Sequence, residues 1–139
     1  MEKLNNAIES DSRIVNLGMV NNKKSIQLEM NALINIDPRP YSEDLDRFSI
    51  PDNLVEYLDS GVTTISVKNS RIKKHFPENV IWSKSGETPY LYECITKVLS
   101  LTDEERENIG KSAKQKAQEL YSQQKIADSI NKFLKEIVK

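Results

Sequence analysis

A single glutamate, Glu56, stands in a sequence setting that is typical of nucleotide-binding sites. It belongs to the stretch LINIDPRPYSEDLDRFSIPDNLVEYLDSG, which runs from Leu33 to Gly61. This stretch predicts a buried strand, a polar loop, and a helix that begins at a Ser-x-Pro turn and stops at glycine. In α/β proteins, such a loop brings a helix N-terminus to a phosphate group, and a carboxylate further along binds a ribose hydroxyl. A nucleotide site is therefore predicted, and an ordinary solvent-facing glutamate is the alternative.

The composition argues against several other classes of function. Among 139 residues, 20 are basic and 21 are acidic, so nucleic acid is not expected as a partner. The single cysteine, Cys94, excludes a cysteine-based zinc site. The single histidine, His75, leaves little material for a metal site or a Ser-His-Asp triad. No apolar run reaches the roughly 20 residues of a membrane span, and the polar N-terminus is unlike a signal peptide. We expect no metal, no cofactor and a cytoplasmic location.

The hydrophobic pattern predicts alternating strands and helices. Strands are predicted at residues 13–20, 33–36, 63–67 and 79–83, with a long charged loop over 37–50. Helices are predicted at residues 2–9, 23–31, 51–60, 69–76, 88–100, 103–120 and 122–138. We expect one α/β domain with strands and helices over residues 1–87 and C-terminal helices over 88–139. Its Rossmann-like parallel sheet should have about four strands, against about six in a complete domain, so the first βα unit is expected to be missing.

Four segments in order resemble the C-terminal domain of GT-B fold glycosyltransferases. They are RIVNLGMV, LINIDPRP, FSIPDNLVEYLDSGVTTIS and ETPYLYECITKVLSLTDEERENIGKSAKQKAQELYS. More narrowly, the chain is similar to the retaining, nucleotide-sugar-dependent enzymes that build bacterial capsular and other polysaccharides. In that family a strand ending in NPRP leads to a loop and then to SFPSKLLEYLASGKPVI. The resemblance covers nearly the whole chain from residue 11 onward and implies an N-terminally truncated, incomplete GT-B C-terminal domain.

The resemblance assigns roles around the predicted helix. Glu56 matches the family glutamate that binds the ribose hydroxyls of the nucleotide. Ser49, Ile50 and Pro51 match the turn whose amide groups face the donor diphosphate. Asn53 stands near the diphosphate, where this group of enzymes usually has lysine.

The PRP segment is assigned to the donor-sugar side of the cleft. Arg39 and Pro40 match that segment in the resemblance, and an ordinary surface arginine is the alternative for Arg39. The resemblance places the catalytic machinery in parts that are missing here, so no catalytic residue is assigned.

The expected function is donor binding in a hexosyltransferase. A UDP- or GDP-linked sugar would be the substrate, and a glycan or lipid-linked acceptor would be bound by a missing N-terminal domain, so the chain alone should be inactive. An exposed sheet edge predicts a homodimer, and the lysine-rich C-terminal helices suggest a weak peripheral contact with the inner face of the membrane. The alternative is a non-catalytic nucleotide-binding or interaction module of Rossmann-like fold. A receiver-like domain is disfavoured, because the first strand lacks an acidic cluster.

Overall fold

A computed structural model describes residues 2–48 and 50–138, which form a mostly helical α/β fold with a small parallel sheet. The helices and strands within these ranges follow in chain order. They are α1 (Glu2–Ser10), α2 (Asn22–Met30), β1 (Asn35–Asp37), α3 (Glu43–Phe48), α4 (Asp52–Ser60), β2 (Thr64–Val67), α5 (Ser70–His75), β3 (Ile81–Ser83), α6 (Thr88–Leu99), α7 (Asp103–Tyr121) and α8 (Gln123–Ile137).

The sheet has three parallel strands in the order β1-β2-β3. In its register, Ile36 pairs with Ile65, and Ile65 pairs with Ile81. The central strand β2 comes from the β-branched run Thr63–Val67 and is buried along its whole length. Because all three strands run in the same direction, their carboxyl ends meet at one edge of the sheet.

Helices cover both faces of the sheet and produce two apolar cores. On one face, α4, α5 and α7 enclose the first core, which contains Leu54, Leu58, Ile72, Phe76, Val80, Ala113 and Ala117. On the other face, α6 packs Cys94 and Val98 against Ile65 of β2. The fold is therefore layered as helix, sheet and helix.

Two glycines and a capping box fix how α7 packs. Gly61 ends α4 with a φ of 78°, a left-handed conformation that favours glycine. Gly110 of α7 lies against it so closely that an added Cβ would stand 2.1 Å from the carbonyl oxygen of Gly61. Thr102 and Glu105 form the predicted capping box at the start of α7.

The structure corrects two predictions. Residues 13–20 do not form a strand, so the described sheet has three strands rather than four. This run stays irregular and exposed, with Met19 fully accessible and Gly18 turning at a φ of 60°. A strand needs backbone hydrogen bonds to a neighbouring strand, and residues 13–20 pair with no other described strand. The predicted loop 37–50 also contains a helix, α3, which begins with three acidic residues in its first turn.

The predicted helices are otherwise confirmed within about two residues at most ends. Three of them, α1, α2 and α8, bury none of their described side chains. No helix in the described ranges is long and apolar enough to cross a membrane.

Candidate functional site

The carboxyl edge of the sheet brings together three segments that are distant in sequence. Arg39 and Pro40 follow β1, Lys68 follows β2, and Pro51 precedes α4; all four line one narrow groove. The groove has a volume of about 20 Å³, enough for roughly one water molecule. A larger anionic ligand would therefore lie across its mouth, where the positive charges of Arg39 and Lys68 are available.

A buried carboxylate fixes the position of Arg39. The side chain of Asp37, at the end of β1, is only 6% exposed. One of its oxygens lies 3.0 Å from Nε of Arg39 and also accepts a hydrogen bond from the Ser66 hydroxyl at 3.3 Å. Arg39 itself keeps 32% of its side chain exposed. Since the salt bridge uses Nε, the guanidinium is oriented, and its terminal nitrogens donate no hydrogen bond to the described residues.

The amino end of α4 forms one wall of the groove. Pro51 is buried at the N-cap position and gives this end no side-chain cap. Ile50 is 39% exposed, and Asn53 is exposed in the first turn. Ser49 lies outside the described residues. The helix terminus favours anions through its amide groups, whereas the carboxylate of Asp52 in the first turn partly offsets that preference.

The amino end of the neighbouring helix α5 is already occupied by the chain's own side chains. Asp46 of α3 accepts a hydrogen bond from the amide of Ser70 at 2.5 Å, and Asn69 caps the amide of Ile72. The hydrogen bonds from Ser70 hold the pKa of Asp46 below its ordinary value, helped by the nearby charge of Lys68. Of the α4 and α5 ends, only the α4 end therefore lacks a cap from a described side chain.

Glu56 lies apart from that groove. It is exposed on α4, and it lines a second, open groove of about 340 Å³ with Asp59, Gln118 of α7 and Gln123 of α8. The structure thus brings Arg39 and Pro51 together in one groove and places Glu56 on a different surface of α4.

One supporting residue of the site, Gly86, was missed by the sequence reasoning. The backbone of Gly86 passes so close to the loop after β1 that an added Cβ would lie 2.4 Å from the carbonyl oxygen of Pro38. This contact supports the segment that carries Arg39. A glycine in the short connection between a predicted strand and a predicted helix was the available signal, because glycine allows a close approach of the backbone.

The described residues contain no group of three or more histidine, cysteine or acidic side chains placed to hold a metal ion. No protein-family model matches the chain, and comparisons with curated proteins and with solved structures found no match either.

Proposed function

We propose that this chain is the donor-binding part of a GT-B glycosyltransferase, with the Rossmann-like arrangement of an incomplete C-terminal domain. The intact enzyme would transfer a sugar from a UDP- or GDP-linked donor to a glycan or lipid-linked acceptor in polysaccharide biosynthesis. One observation carries the proposal: the PRP segment and the amino end of the helix containing Glu56 meet at the carboxyl edge of a parallel sheet. Open α/β sheets bind their ligands at that edge.

The donor diphosphate would lie across the mouth of the groove. Arg39, held by Asp37, would contact a phosphate through its terminal nitrogens, and the amides at the start of α4 would face the same group. These positive groups stabilise the negative charge that develops on the leaving nucleoside diphosphate. The nucleoside diphosphate would leave, the sugar would transfer to a hydroxyl oxygen of the acceptor, which loses its proton, and the configuration at the anomeric carbon would be retained.

Glu56 would bind the ribose from the outer face of α4. It follows Asp52 by four residues, which corresponds to about 6 Å along the helix axis. A nucleotide whose diphosphate lies at the helix end would therefore pass along the exposed side of α4 to reach it. The exposure of Glu56 leaves its carboxylate accessible to such a ligand.

A missing N-terminal domain would supply the acceptor site and the catalytic machinery. The chain alone would then bind a donor without turning it over. On this proposal the enzyme works in the cytoplasm, where nucleotide sugars are substrates for polysaccharide assembly.

An interaction module without catalysis is the second candidate, favoured by the open edge of β1. Among the described residues, no strand pairs with the outer side of β1. Several large apolar side chains near that edge are exposed, including Met30 and Leu33. An unpaired edge beside apolar surface invites pairing with another chain, for example a second copy in a homodimer.

Calorimetric titration with UDP, GDP and uridine separates the two candidates. We expect UDP or GDP to bind and uridine to bind much more weakly, because the diphosphate supplies the charged contacts. Arg39→Gln should weaken diphosphate binding by about tenfold or more, since it removes a charged hydrogen-bond donor. The matched control is Arg13→Gln, which changes an exposed arginine that pairs with Asp11. No binding of either diphosphate, or equal binding by both variants, would contradict donor binding and favour the interaction module.

A further inference from the structure

The segment that follows the PRP segment lies at the carboxyl edge of the sheet and forms one wall of the narrow groove. We call residues 41–48 the strap; its last six residues are the short helix α3. Tyr41, Ser42 and Asp46 of the strap line the groove, which also contains Lys68. With the strap in this position the groove volume is about 20 Å³, which is too small for a phosphate group.

The carboxylate of Asp46 ties the strap to α5. It accepts a hydrogen bond from the Ser70 amide at 2.5 Å, and the side chain of Ser70 donates a second one. The positive charges of Lys68 and Arg71 also lie near this carboxylate. Because α3 makes its main contact with α5, the Asp46–Ser70 contact holds the strap against the edge of the sheet.

Helix α3 depends on this contact for its position. A helix of six residues is not stable by itself in water, so α3 needs a neighbour. Of the side chains of α3 that the structure describes, Glu43, Asp44 and Arg47 are exposed, and only Asp46 is partly buried. Loss of the Asp46–Ser70 contact should therefore release the strap.

The closed strap and a phosphate group in the groove compete for the same positive charge. Asp46 lies close enough to Lys68 for their charges to interact, and Lys68 is one of the two cations that line the groove. A phosphate group beside Lys68 would be repelled by the carboxylate of Asp46. The closed strap thus disfavours an anion in the groove through both its volume and its charge.

We propose that the strap is autoinhibitory: the Asp46–Ser70 contact keeps the donor diphosphate at the mouth of the groove, and release of the strap opens the groove and tightens binding. The identity of the ligand rests on the proposed function. If the open arrangement is a minor population of the free chain, the apparent affinity for the diphosphate is lowered in proportion. A diphosphate that contacts Lys68 shifts the population toward the open arrangement.

Two variants remove the contact from its two sides. Asp46→Ala removes the acceptor. Ser70→Pro removes the amide donor at the first position of α5, where proline fits a helix, and the extended backbone of Asn69 suits a residue before proline. The matched control is Asp44→Ala, which removes an exposed carboxylate from the same helix.

Calorimetric titration with UDP and amide hydrogen exchange of the ligand-free chain test the proposal. Asp46→Ala and Ser70→Pro should bind UDP at least about fivefold more tightly than the parent. Asp44→Ala should stay within about twofold of the parent, because an exposed charge is screened by salt. Without ligand, the amides of α3 should exchange faster in Asp46→Ala and Ser70→Pro than in Asp44→Ala.

The possible failures are distinguishable. If the parent binds UDP, and Asp46→Ala and Ser70→Pro bind it no more tightly than Asp44→Ala does, the autoinhibitory role is wrong and the donor site stands. Unchanged exchange of the α3 amides in both variants would show, without any ligand, that Asp46 does not hold the strap. If UDP binds to none of these chains, the proposed function itself is wrong, and the inhibition of donor binding is wrong with it.

Discussion

The middle of the chain and its two flanks contain similar types of apolar residue, but those of the middle are largely buried and those of the flanks are exposed. Every buried apolar side chain of the described residues lies between Pro51 and Ala117. In residues 2–33 and 123–138, by contrast, large apolar side chains such as Leu17 and Phe133 remain exposed. Helices form in both regions, because capping and periodicity are local properties. Burial depends on how closely a helix packs on its neighbours. α2 contacts α4 and α8 contacts α7, but neither α2 nor α8 buries a described side chain.

The largest expected effect compares one leucine of the packed middle with one phenylalanine of the flank. Leu58 is fully buried in the first core, so Leu58→Ala should lower the free energy of unfolding by about 2–5 kcal/mol. Phe133 is 61% exposed, so Phe133→Ala should change it by less than about 0.5 kcal/mol. Urea unfolding of both variants measures the difference. Similar losses would mean that α8 is packed against the rest of the chain.

The next effect concerns the close approach of α7 to the end of α4. Gly110→Ala improves the helix propensity of α7 but places a methyl group against the backbone of Gly61, so it should destabilise the fold by about 1–3 kcal/mol. The control is Asn108→Ala, at an exposed position of the same helix. Thermal unfolding should show a lower midpoint only for Gly110→Ala. A higher midpoint for Gly110→Ala would show that the two helices can separate at little cost.

A pair of helix caps sharpens the same comparison at a smaller scale. The Thr102 hydroxyl caps α7 in the packed middle, and the Ser122 hydroxyl caps α8 in the flank. Thr102→Ala should lower the global stability by about 1 kcal/mol. Ser122→Ala should only increase amide exchange in the first turns of α8, leaving urea unfolding unchanged. An equal effect of both variants on global unfolding would contradict the distinction between a packed middle and unpacked flanks.

The smallest expected effect is a pH dependence at the carboxyl edge of the sheet. The pKa of Asp46 is held below its ordinary value by hydrogen bonds from Ser70 in the folded state. The charged carboxylate therefore contributes stability above the unfolded-state pKa, and this contribution is lost as pH falls through the lower folded-state pKa. Asp46→Asn should flatten the acid side of the stability profile, below the ordinary pKa of an aspartate side chain. An unchanged profile in acid unfolding experiments would show that Asp46 does not stabilise α5.

Most of the packed fold could be predicted from sequence because its signals are local. Gly61, the Thr102–Glu105 capping box and the β-branched run before Val67 specify ends and strands without reference to neighbours. The run 13–20 was predicted wrongly because its strand pattern has no ladder to join. Helix α3 was missed because its six residues are mostly charged and show no apolar period. It is held mainly by its contact with α5, which the sequence of α3 alone does not reveal.

The candidate site was predictable only in part. Arg39, Pro40 and Pro51 were grouped through the resemblance to glycosyltransferases, and all three line one groove at the carboxyl edge of the sheet. The buried support from Asp37 and the approach of Gly86 depend on packing between segments far apart in sequence. The direction in which Glu56 points depends on how α4 is rotated against α7, which the helical period of a short segment does not determine.

Amide NMR titration of the chain with UDP tests the central claim, that the carboxyl edge of the sheet binds a donor diphosphate. We predict saturable shifts at Arg39, Asp52–Leu54, Glu56 and Lys68, with α1 and the C-terminal half of α8 unaffected. In Glu56→Ala the shifts along α4 near the ribose should vanish, while those at Arg39 persist. The absence of saturable shifts at millimolar UDP or GDP, or shifts confined to the flanks, would contradict the donor site.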